Sequence, residues 1–561
     1  MVYSNQEILS LINAKEKETR TQAIWHRMDE DFNTWNLVEY KYDENRELSE
    51  SVTSNTPRTF ANLVLATVAG AAMNIEVTPI KDVEARREDA RRIKSYLAHE
   101  FWQCSQDYMD RVNMSVLDAC AWYLAIRGTV GLRVLRHPKD GDEPAWNELW
   151  PIDGRGLLFE YGKRGLLWVA HKMIMSKAQV EDMWDMEIAE QRDVVLWDFW
   201  TKEGNAVIRN QKFLKPYSEH GLGLIPITIV KMPSRPPIIN QTGVDVSKTE
   251  ADSIYSAVRR TFEHKNLLLS MATTSCALHV KTPVVNMSQA AQDIGYTNYF
   301  PGSFIKAAPL EGGRNPFQLM PVNALPASFP MLFGAILAEE QEGSLPGVVY
   351  GRGEGTQSGR QVELLREPLN QTTGPIFRAL GYLFTRAADL LRKQFIAMGG
   401  ETTIQAKPKR GKIEQSQSIK AEDVDRDVKV IVTFEPNREA REMLDYQMAS
   451  MAQTFLANDT IREKILRVED PDMESRKKMM EEPTGVEELD TMRRVQKVLE
   501  AAKEAGEKEL VRLCEAALSG LTTPVEQLPP EASPPIAPSP EAIVPQGVSE
   551  FEALVRSMQG E

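Results

Sequence analysis

The feature that most constrains this chain is a helix-poor segment between two helical ones. Residues 249–276 and 326–343 both carry apolar side chains at helical spacing. The intervening residues 277–325 are dense in Pro, Gly and Asn, with VKTPVVNM and GSFIKAAP as candidate strands. If this insert brings its own ends together, the two helices run antiparallel and can pack side by side.

Each of these two helices carries an apolar stripe. The stripe residues are Val258, Phe262, Leu268 and Leu269 in the first helix, and Phe329, Leu332, Phe333, Ile336 and Leu337 in the second. Such a pair can pack against copies of itself. Taken alone, the pattern also fits an ordinary helical hairpin inside a globular domain, because packed helices are common.

Charged residues lie at the helix ends that antiparallel packing would bring together. Arg259 and Arg260 are near the start of the first helix, and Glu339, Glu340 and Glu342 are near the end of the second. The sequence therefore predicts charge pairs within or between subunits. The alternative is two solvated helix ends whose charges contribute little to stability.

The rest of the chain predicts an α+β protein of several domains, since 561 residues are too many for one core. Residues 146–235 are rich in strand signals, and GRQVELLREPLNQTTGPIFRALGYLFTRAADLLRKQFIAM predicts a long helix, kinked at Pro368 and Pro375. Residues 437–518 are again helical in pattern. From Leu521 the chain is rich in Pro, Ser and Ala, so we expect disorder there, followed by a short terminal helix.

Composition narrows the possible functions. The net charge of −14 makes tight DNA wrapping a poor fit, because such binding depends on phosphate neutralisation. No run of 18 apolar residues appears, and the polar first residues lack a signal peptide's apolar stretch, so we expect folding in a cytoplasm and no membrane partner. The four cysteines form no CxxC pair.

Motifs for catalysis or cofactor binding fail on inspection. The segment 351–359 is glycine-rich but has no Lys of a phosphate loop, and Asp423, Asp425 and Asp427 lack the Gly and Glu that a calcium loop needs downstream. We therefore expect no enzyme activity, no catalytic or metal-binding residues and no cofactor.

The order of elements resembles that of the portal proteins of tailed bacteriophages. Members have an α/β wing, a two-helix stem, a clip inserted between the stem helices, a channel-facing tunnel loop, a long kinked helix and a helical crown. NTPRTFANLVLATVAG resembles the early helix before the wing, and ELWPIDGRGLLFEYGKRGLLWVAHKMIMSKAQVEDMW resembles the strands and short helix of the wing. TQSGR at residues 356–360 resembles the start of the long helix. The resemblance covers about residues 20–520.

The resemblance implies a division of the chain into eight parts. These are N-terminal helices and wing (1–248), first stem helix (249–276), clip (277–325), second stem helix (326–343), tunnel loop (344–357), long helix with wing strands (358–435), crown (436–520) and Pro-rich tail (521–561). The stem-packing residues would be Phe262, Leu268, Leu269, Phe329, Phe333 and Ile336.

The function implied is that of a ring, usually of twelve copies, at one capsid vertex, through which double-stranded DNA is packaged and ejected. The implied partners are the terminase large subunit, major capsid and scaffolding proteins, and a head-completion or adaptor protein. The implied location is the virion, with assembly in the host cytoplasm. Val349, Tyr350, Arg352 and Glu354 would lie in the tunnel loop, with Arg352 and Glu354 at the constriction.

Two other functions stay open from the sequence. One is a different virion structural adaptor, although adaptors are generally much shorter. The other is a metal-dependent nucleic-acid-processing enzyme with carboxylates that no motif marks.

Overall fold

The computed structural model describes residues 3–42, 50–80, 84–139, 141, 144–163, 165–184, 193–233, 250–286, 304–306, 317–319, 325–345, 359–404 and 417–435. Its helices are α1 Asn5–Lys17, α2 Thr19–Trp35, α3 Thr56–Ala69, α4 Glu84–Val112, α5 Val116–Trp122, α6 Lys177–Trp184, α7 Arg259–Val280, α8 Phe329–Gly343, α9 Gly359–Met398 and α10 Ala421–Val424. A π-helical turn, Tyr123–Arg127, extends α5.

The strands are β1 Ala72–Pro79, β2 Thr129–His137, β3 Trp146–Asp153, β4 Leu157–Gly162, β5 Gly165–Met175, β6 Val194–Thr201, β7 Gly204–Arg209, β8 Lys212–Glu219, β9 Ile227–Lys231, β10 Val284–Asn286, β11 Phe304–Lys306, β12 Phe317–Leu319, β13 Glu401–Ile404, β14 Gln417–Lys420 and β15 Val428–Glu435. Helix and sheet are thus mixed, as the α+β prediction requires.

The strand-rich stretch predicted over residues 146–235 forms most of two sheets. Strands β4 to β8 follow one another in an antiparallel meander, and β2 lies between β3 and β9. A third ladder joins distant parts of the chain, because β1 pairs antiparallel with β15 from Ala72–Glu435 to Pro79–Val428. The alternating apolar residues of β15 account for this placement, since one face of the strand is buried.

Helix α9 organises the largest core. Its buried residues recur at helical spacing, and Phe384 contacts both Phe101 of α4 and Phe434 of β15. Phe395 stacks on Tyr96 of α4, with ring centroids 4.8 Å apart. The helix continues as one element through Pro368 and Pro375, the two positions at which the sequence predicts kinks.

The N-terminal helices cover one face of the five-stranded sheet. Ile8, Ile12 and Met28 are buried in one cluster with Trp168 of β5 and Phe199 of β6. Ser4 begins α1 with a capping box, in which its hydroxyl accepts from the Glu7 N–H and the Glu7 carboxylate accepts from the Ser4 N–H. This packing fixes α2, which in turn reaches the start of α7.

A buried polar cluster joins the two sheets. Arg133 of β2 contacts Glu148 of β3 at 3.1 Å and Asp198 of β6 at 3.5 Å. Burial opposes ionisation of Glu148, but Arg133 and His137 outweigh it and hold its pKa at about 2. Burial, helped by the charge of Arg133, lowers the pKa of His171 to about 3.

The buried His171 predicts a specific acid sensitivity. Its pKa is lower in the folded state than the usual 6.5, so stability is complete above pH 6.5 and falls as the pH drops toward 3. At pH 5 the wild type should lose about 2 kcal/mol relative to pH 7 through this residue alone. The His171→Gln variant should lack this loss in calorimetric unfolding between pH 7 and 5. Parallel curves for both proteins would refute the assignment.

Candidate functional site: helices α7 and α8 and their anchor

The start of α7 is anchored by buried ion pairs. The Arg259 guanidinium donates to both carboxylate oxygens of Asp31 in α2, at 2.7 and 3.0 Å, and to Asp252 at 2.8 Å. Arg27, also in α2, contacts Asp252 at 3.3 Å. Burial raises the pKa of Asp31, while the hydrogen bonds and charge of Arg259 oppose that rise. These four residues are called the anchor cluster below.

A close backbone approach brings the anchor cluster together. Gly128 ends the π-helical turn at φ 71°, and a Cβ there would lie 1.8 Å from the carbonyl oxygen of Ala251. Only glycine therefore lets the residues before α7 approach this turn. Arg27 completes the junction by donating to the carbonyls of Ala251 and Arg127, at 2.8 and 3.2 Å.

Helices α7 and α8 pack antiparallel, joined by a buried ion pair. The Lys265 Nζ lies 2.8 Å from the Glu340 carboxylate and also donates to the Thr56 hydroxyl at 2.7 Å. Nearer the start of α7, a Cβ on Gly343 would lie 2.6 Å from the Val258 side chain. The end of α8 therefore meets the start of α7, as expected for helices flanking an insert.

The predicted charge pairs need correction within the subunit. Arg259 pairs with Asp31 and Asp252, not with the glutamates of α8, because α2 presents buried carboxylates at the start of α7. Glu340 pairs with Lys265, a residue that the sequence prediction did not single out. Arg260, Glu339 and Glu342 are exposed on the subunit surface.

The apolar stripe of α7 faces the interior of its own subunit. Phe262 and Leu268 are buried, and the Phe262 ring contacts Tyr255 with centroids 5.9 Å apart. Leu269 is half-buried. The sequence allowed this stripe to pack side by side with the second helix and against copies of the chain; Phe262 is already buried within its own subunit.

Helix α8 is apolar yet largely uncovered. Within this helix, which is described throughout, Glu340 is the one buried residue. Met331 is 82% exposed and Leu332 52% exposed. Phe329, Phe333 and Ile336, together with Leu337, are half-buried, with Phe329 and Phe333 stacked at 6.1 Å. A helix that is apolar on most sides is normally covered by other protein.

The predicted insert and loop are described only in part. Strand β10 lies between β11, to which it is parallel, and β12, to which it is antiparallel. Val349, Tyr350, Arg352 and Glu354 lie outside the described residues, as do the predicted crown and the Pro-rich tail.

Within the described ranges, no group of three or more His, Cys, Asp and Glu side chains could hold a metal ion. Among the same residues, no helix has both the length and the apolar character needed to cross a membrane.

Comparisons with known proteins give distant structural similarity. No family model and no curated protein matches the chain. Similar solved structures include the neck of an empty gene transfer agent particle computed with C6 symmetry and that of a native particle computed with C12 symmetry. Both are 12% identical and cover 73% of this chain and 89% of the matched chain, with TM-scores of 0.35 and 0.33. TM-scores below 0.5 do not establish a common fold, so these similarities assign no function.

The buried Lys265–Glu340 pair predicts that removing one charge destabilises the protein more than removing both. Lys265→Met leaves the Glu340 carboxylate buried without its cation, so the free energy of unfolding should fall by about 3–5 kcal/mol. The double variant Lys265→Met/Glu340→Leu removes both charges and should recover most of that loss. Denaturant unfolding followed by tryptophan fluorescence measures both.

Lys281→Met is the matched control, since Lys281 is exposed at the end of α7. If Lys265→Met is no more destabilising than this control, the ion pair does not hold α7 and α8 together.

Proposed function

We propose that this chain is the subunit of a bacteriophage portal, a ring at one capsid vertex through which double-stranded DNA enters and leaves. The antiparallel α7 and α8 would be the stem, and the insert that contains β10 to β12 would be the clip. The terminase large subunit would dock on this clip during packaging, and a head-completion protein would replace it. The subunit would itself hydrolyse nothing.

One observation carries this proposal: the exposed apolar surface of α8. Exposure of Met331 and Leu332 in a single subunit leaves contiguous apolar area in water, which favours association. We propose that a second copy of this chain covers the apolar surface of α8. The Lys265–Glu340 pair supports this choice, because it holds α8 in one orientation on α7. If α8 contacts a different surface of the next copy, the same contact repeated by every copy can close into a ring.

The charge of the chain supports a conduit more than a DNA clamp. At a net charge of −14, the subunit repels phosphate on average, so DNA could pass without tight contacts.

We propose that Arg352 and Glu354 line the constriction, with Val349 and Tyr350 in the same loop. Cross-linking of packaged DNA to position 352 should succeed, and its consistent absence in filled particles would count against this placement.

Assembly through α8 predicts that charge on its exposed face breaks the ring. Met331→Asp should convert the wild-type oligomer to monomers, because each interface would bury an unpaired carboxylate. Size-exclusion chromatography with light scattering measures the mass directly. Met183→Asp is the matched control: Met183 lies on α6 and is 43% exposed, so this variant should keep the wild-type mass.

Two outcomes would contradict the proposal. One is a wild-type protein that is monomeric, and that stays monomeric but exposes more of α8 when residues 436–561 are deleted. The other is a Met331→Asp variant that assembles like the wild type.

A further inference from the structure

Residues 50–54 run alongside α7 and are held by its side chains. The backbone N–H of Glu50 donates to the Thr274 hydroxyl at 3.0 Å, and that of Val52 donates to the Ser270 hydroxyl at 2.9 Å. The N–H of Ser54 donates to the Asn266 side-chain oxygen, also at 2.9 Å. Every second backbone donor of this segment thus finds an acceptor on one helix.

The spacing of the acceptors along α7 matches the spacing of the donors along residues 50–54. The acceptors Asn266, Ser270 and Thr274 follow each other every four residues, which is about 6 Å along a helix. The donors follow each other every two residues, which is about 6.6 Å along an extended chain. The segment therefore lies on α7 as a strand lies beside its neighbour, with three side chains in place of a backbone partner.

The other edge of the segment is also held by hydroxyl groups. The Thr53 hydroxyl accepts from the Tyr40 N–H at 2.8 Å, and the Ser51 hydroxyl accepts from the Tyr42 N–H at 3.2 Å. Residues 50–54 thus lie between residues 40–42 and α7. Hydrogen bonds hold both edges of the segment, and each is worth only about a 2- to 10-fold change in an equilibrium constant.

The segment runs from the well-attached first half of α7, at Asn266, to the second half, at Thr274, which has fewer other attachments. The first half of α7 is fixed by the anchor cluster, by Phe262 in the core and by Lys265. From Met271 to Val280, by contrast, no side chain of this fully described helix is buried. Ser270, at the boundary, is fully buried where Val52 meets it.

We propose that residues 50–54 are a releasable strap on α7. While the strap is closed, its hydrogen bonds to Ser270 and Thr274 hold the second half of α7, and hence the start of the insert that follows. Once it opens, the donors and acceptors are hydrated, and this half of the helix can move while the core stays folded. The device belongs to a single subunit and does not depend on the ring proposed above.

Hydrogen exchange of the full-length chain, resolved to single amides, tests the strap. In the wild type, the amides of Val52 and Ser54 should be protected. In the triple variant N266A/S270A/T274V, which removes the three acceptors, they should exchange at least about 10-fold faster, together with residues 271–280. Amides of α9 should not change.

T273V is the matched control, because it removes a hydroxyl from the same helix. The Thr273 hydroxyl donates to the Leu269 carbonyl within α7 and does not contact the strap. This variant should leave the amides of Val52 and Ser54 as protected as in the wild type.

A second variant tests the strap from its other side. V52P removes the donor to Ser270 without changing α7. V52P and the single variant S270A should each speed exchange in residues 271–280, and the V52P/S270A double variant should add little beyond either change.

Three results would overturn the proposal. These are unprotected amides at Val52 and Ser54 in the wild type, unchanged protection in the triple variant, or exchange in α9 that rises as much as exchange at the strap. The last would mean that the segment opens only when the whole subunit unfolds. These exchange measurements do not depend on assembly. Failure of the ring proposal would appear separately, as a monomeric mass of the wild type in light scattering.

Discussion

The anchor cluster of Arg27, Asp31, Asp252 and Arg259 is the interaction on which the rest of the structure depends. Arg27, Asp31 and Asp252 are buried and Arg259 is half-buried, which is tolerated only because each charge faces an opposite one. The cluster ties α2, which covers the five-stranded sheet, to the first turn of α7. The direction in which α7 leaves the folded body is therefore set by charge pairing and by Gly128, which lets the chain come close enough.

Buried and exposed side chains are distributed in an unusual way over α7 and α8. The contact between them contains a buried lysine and glutamate, whereas the apolar side chains of α8 remain largely in water. A stable monomer would reverse this arrangement, because burying apolar area is the main favourable contribution to folding. The arrangement is reasonable if association covers α8, and this is why we assign its surface to another copy of the chain.

Sequence patterns predicted the local structure better than the long-range contacts. Helical periodicity found α7, α8 and α9, and alternation with turn residues found the strands between residues 146 and 235, because both signals are local. Helix α7 begins at Arg259, ten residues after the predicted start at 249, since residues 250–258 instead form turns around the anchor cluster.

The partners of charged side chains could not be predicted in this way. Arg259 and Asp31 are 228 residues apart in the chain, and nothing in the pattern around either one signals the other. Similarly, an apolar stripe predicts that a helix face is buried but not which residues cover it; Phe262, for example, packs on Tyr255 inside the subunit. The polar series Asn266, Ser270 and Thr274 has regular spacing that could have suggested an extended partner, but the short segment 50–54 has no strand pattern of its own.

The central claim is that the apolar surface of α8 is covered by further copies of this chain in a closed ring. Negative-stain electron microscopy of the purified full-length protein tests it most directly. The account predicts ring-shaped particles with a stain-filled central hole. A field of compact particles, each the size of one 63.3 kDa chain, would contradict it.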